Sequence, residues 1–160
     1  MQSDAHQYSE KVLANNTSFH EKIRTTPKFE RAKLVLNNGH GMIYISGTAA
    51  IKGESSITQY DITLQTSLTL DNIYQIASKK NIADYIYSDS MVIKPLYFRV
   101  YLKNRKDYKL IETIILAKIG KTPVLFVESD ICRKELIVEI EGVFSLQYSL
   151  KNLPITKEVN

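Results

Sequence analysis

Tryptophan is absent and cysteine occurs once, at Cys132, so no disulfide can close within the chain. The histidines His6, His20 and His40 are scattered, and with one cysteine they offer no metal-ligand spacing. They suggest no role and no metal site. Long apolar runs are also missing. None nears the ~20 residues a membrane span requires, and residues 1–16 are polar with no apolar signal core. A cytoplasmic protein without a membrane partner follows by default. Charge is nearly balanced, 21 Lys plus Arg against 17 Asp plus Glu, for a net +4. The densest basic stretch, residues 103–109, also contains Asp107 and opens a helix, so it reads as a solvated helix face. Nothing in this pattern calls for a nucleic acid partner. No internal repeat or low-complexity segment is visible.

What is present is enough for one domain. A chain of 160 residues, 44% of them hydrophobic, can bury a core without disulfides or metal. Residues 1–26 lack a sustained period and read as an N-terminal extension, 27–150 as the domain, and 151–160 as a polar tail. Tyrosine is over-represented, with ten in the chain. Such residues suit strands and also pocket walls, an apolar ring carrying a hydroxyl at its tip.

Along the domain, residues 29–36 alternate as a strand, Asn37-Asn38-Gly39 signals a hairpin, and 42–48 is the returning strand. Residues 52–56 read as loop. From 57 to 79 the period becomes helical, with Ile62, Thr66, Thr69, Ile73 and Ile76 at spacings of three and four, widened by Leu68 and Ala77. Residues 81–94 are less regular. Pro95 opens a strand that sets Leu96, Phe98, Val100 and Leu102 against Tyr97, Arg99 and Tyr101. A second helix begins at Lys106 or Asp107 and stops at Gly120. Strands follow at 123–128 and from Leu136 to about Leu150. Two strands, helix, strand, helix, two strands is an α+β order: a mixed sheet with two helices packed on one face. The other sheet face needs cover.

That second face carries the candidate chemistry. In the last strand Leu136, Val138 and Ile140 point one way, and Ile137, Glu139 and Glu141 the other. Two like charges so placed repel, and burial would raise the pKa of at least one, leaving it able to donate a proton near neutral pH. The alternative is a pair of solvated glutamates. Arg99, mid-strand between Tyr97 and Tyr101, either forms an ion pair with Glu139 or Glu141 or clamps a substrate carboxylate with its planar fork. Arg31 and Arg133 are further anion-binding candidates or ordinary surface arginines. Cys132, as a lone cysteine, reads as a packed apolar residue rather than a nucleophile.

Cys132-Arg133-x-x-Leu136-Ile137-Val138-Glu139-Ile140-Glu141 resembles the closing strand of the Rid (YjgF-like) superfamily, and more closely the catalytic domain of the chorismatases. Pro27-Lys28-Phe29-Glu30-Arg31-Ala32, Ile45-Ser46-Gly47-Thr48-Ala49-Ala50-Ile51 and Arg99-Val100-Tyr101 follow the family order. A Gln65-Thr66…Asn72-Ile73 helix lies between the second and third. The resemblance implies a Rid/chorismate-mutase-like fold and a homotrimer that buries the uncovered sheet faces. It implies Glu139 as the family's active-site glutamate, Ser46 as its signature serine and a pocket-lining place for Cys132. The implied activity is release of pyruvate from chorismate or a related enolpyruvyl compound, with no cofactor. Glu139 would be the general acid, Arg99, Arg31 and Arg133 would hold a small carboxylate metabolite, and Tyr97 and Tyr101 would wall the ring.

The departures matter too. Rid enamine/imine deaminases carry an arginine where this chain has Val124, and the asparagine of their second helix has no counterpart in residues 111–115. Chorismatases show histidines after the Ser-Gly-Thr-Ala stretch, where Glu54 and Ile57 stand here, and they have an additional N-terminal domain too large for 26 residues. Two other readings stay open. One is a Rid-like trimeric binder of small carboxylates or weak imine deaminase; the other is a structural partner of a larger synthase.

Overall fold

Local chemistry is plainest in the first hairpin. β1 (Ala32–Asn37) and β2 (His40–Thr48) pair antiparallel about Asn38 and Gly39, whose φ angles of 41° and 82° are those of a type I′ turn. Asn and Gly tolerate positive φ, so the register Asn37↔His40 follows from the turn residues. The computed structural model describes residues 30–149 except 54, 58, 87 and 89. The extension at 1–26, residues 27–29 of the first motif and the tail at 151–160 lie outside the described residues.

Two helices and three more strands complete the main layers. β5 (Met91–Leu102) runs parallel to β6 (Val124–Glu128) and antiparallel to β7 (Val138–Tyr148), which pairs on its other side with β2. The sheet order is β1-β2-β7-β5-β6, a mixed sheet. α1 (Ile62–Ile76) and α3 (Tyr108–Ile119) cover one face, with the short α2 (Lys79–Ala83) between them in sequence. Ile43, Phe98, Ile140 and Phe144 from the sheet meet Leu70, Ile73, Ile111 and Ile115 from the helices, all fully buried. Phe98 and Phe144 pack edge-to-face at 5.6 Å. No helix among the described residues is long and apolar enough to cross a membrane.

Several elements differ from the sequence reading, and four of the differences have a plain physical reason. α1 starts at Ile62, not 57, because Asp61 caps it by accepting from the Leu64 N–H at 2.9 Å. The Gln65 amide then holds the Ile57 and Gln59 carbonyls outside the helix. Residues 52–56 are not simple loop. β3 (Ile51–Lys52) and β4 (Ser55–Ser56) form a small hairpin, backed by a second cluster of Ala49, Ala50, Ile131 and Leu136.

Pro95 does not open its strand, which begins at Met91. It stands beside a bulge where the β5–β7 register shifts between Pro95 and Tyr97, a position that tolerates a missing N–H. Leu96 is thereby turned out, 43% exposed, rather than joining Phe98. The last strand pairs only from Val138, since the Ile137 N–H is taken by the Gln65 carbonyl oxygen at 3.1 Å.

Candidate active site

The uncovered face is organised by a bulge in β2. Pairing with β7 is regular as far as Ile45↔Gly142 and resumes at Thr48↔Ile140, so Ser46 and Gly47 together oppose Glu141. The two residues just before β1 hold this bulge from outside. The Ser46 N–H donates to the Arg31 carbonyl at 2.9 Å, and the Ser46 hydroxyl donates to the Glu30 carbonyl at 2.9 Å. Thr48 Oγ1 closes it from inside, donating to the Ser46 carbonyl at 3.0 Å.

Glu139 folds over that bulge. A Cβ placed on Gly47 would lie 2.8 Å from the Glu139 carboxyl carbon. The Glu139 side chain is half-buried, and no described residue donates a hydrogen bond to it. Burial pushes its carboxyl above the ordinary range, and the nearby Glu141 charge adds to this, against the opposing pull of Arg31. The Arg31 guanidinium is pushed below its ordinary value by burial and then by Arg133, with Glu139 opposing. Arg133 donates to Ser56 Oγ at 2.8 Å. The Ser56 hydroxyl holds the Glu135 carboxyl below its usual range. Arg31, Glu139 and Arg133 thus form one pole of the face; Cys132, next to Arg133 in sequence, is exposed.

Arg99 forms the other pole. Its Nη1 donates to Glu141 Oε2 at 3.1 Å and to the Tyr101 hydroxyl at 3.3 Å, and its Nε donates to the Tyr97 hydroxyl at 3.2 Å. Tyr101 also donates to Glu141 at 3.1 Å. The two tyrosine hydroxyls, Tyr101 first, hold the guanidinium above its ordinary pKa. Beside this network lies a hollow of about 450 Å³, lined by Glu30, Lys33, Tyr44, Ser46, Tyr97, Arg99 and Glu141 among others. Glu139 is not part of its lining.

The structure therefore separates residues that the sequence places on one face. Arg99 pairs with Glu141; Glu139 keeps company with Arg31 and Arg133, while Ser46 borders both. Sequence reasoning passed over Lys33, Tyr44 and Glu30 in the hollow, although Lys33 and Tyr44 alternate out of the core with the strand period. It also passed over the work of the α1 polar residues. Gln65, fully buried, donates to the carbonyls of Ile57, Gln59 and Glu135 at 3.3, 3.1 and 2.9 Å. Asn72 donates to those of Ala49 and Ile51 at 2.9 and 3.0 Å. Together they tie the segments on either side of the Glu139 pole to the helix. Their signal was polarity at helical positions that face the core. Among the described residues no cluster of three His, Cys, Asp or Glu side chains is placed to hold a metal ion.

The layout is that of a Rid-like fold. RidA from the Antarctic bacterium Psychrobacter sp. PAMC 21119 superposes with a TM-score of 0.56 over 79% of this chain and 92% of its own, at 18% identity, which speaks to the fold alone. Within that fold the chain is related to the chorismatases. A chorismatase crystal structure matches with a TM-score of 0.63 at 27% identity, covering 72% of this chain and 35% of that one.

Among curated proteins, a chorismatase of Streptomyces hygroscopicus is 29% identical over 119 residues, 73% of this chain and 35% of the relative. A 3-hydroxybenzoate synthase of the same organism is 28% identical over 123 residues, 73% and 36%. The match spans about a third of the length of these curated relatives. No family model matches the chain.

Proposed function

We propose that the chain releases pyruvate from chorismate or a related enolpyruvyl compound, with Glu139 as general acid. The observation that carries this reading is the Glu139 carboxyl, half-buried, without a hydrogen-bond donor among the described residues, and with its pKa raised by burial and Glu141 against the pull of Arg31. Such a group retains its proton closer to neutrality than an exposed glutamate. Similarity to proteins named chorismatase and 3-hydroxybenzoate synthase supports the substrate class.

In the proposed step Glu139 protonates the enolpyruvyl methylene, and positive charge develops at the ether carbon. Water adds there, the resulting hemiketal collapses, pyruvate departs, and the ring oxygen leaves as a hydroxyl while a proton returns to Glu139. Arg31 and Arg133 hold one carboxylate. Arg99 holds a second when its pair with Glu141 opens, and Tyr97, Tyr101 and Tyr44 wall the ring, with Ser46 and Cys132 at its margin. No metal or organic cofactor enters. The protein acts in the cytoplasm as a homotrimer, whose contacts cover the exposed Tyr44, Val35 and Leu125 of the open face.

Adding chorismate to the purified protein should release pyruvate, and Glu139→Gln should reduce the rate by about 10²–10⁴-fold. No pyruvate from wild-type protein over a panel of enolpyruvyl compounds rejects the reading. Binding of those compounds by calorimetry without turnover selects instead a Rid-like carboxylate binder. Hydrolysis of imines is the weaker part of that alternative, because Val124 packs toward the core opposite Phe98.

A further inference from the structure

Gly47 is not a glycine for backbone reasons. Positive φ among the described glycines is confined to Gly39, Gly53 and Gly120, so an L-residue at 47 meets no conformational penalty. What it meets is Glu139. The three atoms nearest to a Cβ at this position all belong to the Glu139 side chain: the Oε1 oxygen, the carboxyl carbon at 2.8 Å and Cγ at 3.3 Å. The missing Cβ is a socket, and the carboxyl sits in it.

We infer that Gly47 is a positioning residue for Glu139, and that the Ser46–Gly47 bulge exists to present this socket. Three observations support the assignment. The bulge places two residues opposite Glu141, so Gly47 comes to lie under the side chain two residues earlier in β7. It is pinned from both sides, by the Ser46 N–H and hydroxyl to the Arg31 and Glu30 carbonyls and by Thr48 Oγ1 to the Ser46 carbonyl. The same Arg31 backbone bond sets the guanidinium-bearing residue next to the socket. The charged and titratable groups around Glu139 are then Glu141 on its own strand, Tyr101 opposite it on β5, Arg31 across the bulge, and Arg133 on the far side of Arg31.

Because the obstructing atoms are the far end of a flexible side chain, alanine at 47 moves the carboxyl rather than the backbone. The inference deepens the proposed function, and its consequence for turnover rests on that reading; the positioning itself is read without substrate. The Glu139 carboxyl is titrated by NMR in wild type and in Gly47→Ala, alongside thermal denaturation. The expected result is a Glu139 pKa that falls back toward the ordinary carboxylate range while the melting temperature stays within roughly 3 °C. An unchanged Glu139 titration in a folded Gly47→Ala protein overturns the inference.

If Gly47→Ala fails to fold, the variant carrying both Gly47→Ala and Glu139→Ala should fold, since the group in the way is gone. Failure of that double variant to fold also overturns it. Turnover is measured separately. A shifted titration with no activity in wild type leaves the socket standing and removes only the assigned reaction.

Discussion

Glu139 and Glu141 stand two residues apart on one face of one strand, yet they occupy opposite environments. Glu141 lies toward water and is met by Arg99 and the Tyr101 hydroxyl, both at 3.1 Å. Its side chain and that of Arg99 are 36% and 42% exposed. Glu139 is folded onto the Gly47 backbone, with no donor among the described residues and burial as the main influence on its proton. Residue type and strand face are identical, so neither explains the difference. What differs is the neighbouring strand: a regular ladder with Arg99 opposite Glu141 on one side, and a bulge that opens a socket for Glu139 on the other.

The contrast can be broken most strongly through the clamp behind the Glu139 pole. Gln65→Ala strands the buried Ile137 N–H and releases the partly buried bonds to the Ile57, Gln59 and Glu135 carbonyls, and should lower stability by about 3 kcal/mol in chemical denaturation. A loss under about 1 kcal/mol would show that water replaces the amide and that the clamp is incidental. Asn72→Ala releases only two carbonyls, those of the buried Ala49 and the half-buried Ile51, and should cost about 1–2 kcal/mol in the same measurement.

pH provides a sharper test. A carboxyl whose pKa is higher folded than unfolded binds its proton more tightly in the folded state. The stability it contributes is complete below its ordinary value of 4.5 and disappears as pH rises through the raised folded value. Wild type should therefore lose stability relative to Glu139→Gln across that window, and denaturation midpoints of the two proteins should diverge in that direction. Parallel curves would mean that Glu139 is solvated like an exposed carboxylate.

Glu141→Gln separates the two causes. Removing the like charge should lower the Glu139 pKa while leaving it above the ordinary range, since burial is the larger influence. The smallest effect belongs to the exposed pair. Arg99→Ala should leave the denaturation midpoint unchanged within error at moderate salt, because exposed ion pairs are screened and poorly ordered. A large loss there would place Arg99 in a buried assembly interface.

Much of the scaffold could be read from local residues. Asn38-Gly39 determined a turn, the three- and four-residue spacing determined α1 and α3, and Gly120, at φ 61°, ends α3 where a helix stop was expected. Alternation placed Glu139, Glu141, Tyr97, Arg99 and Tyr101 together on the uncovered face. It misplaced Leu96, because one bulged residue inverts the local phase of a strand. The start of α1 was likewise misjudged, since Asp61 caps the helix and the Gln65 amide holds the Ile57 and Gln59 carbonyls outside it, neither of which the apolar spacing reveals.

Away from the bulges, the sequence by itself determined which side of the sheet a residue faces, since side-chain direction follows from the period of a single strand. Only the tertiary structure decided which arginine meets which glutamate. Partnership across strands depends on register, and register here is shifted by bulges at residues 46–47 and at Leu96 that depend on contacts between distant segments. Glu139 and Glu141 carry the same group in one sequence pattern, and the fold gives one a salt bridge and the other a socket.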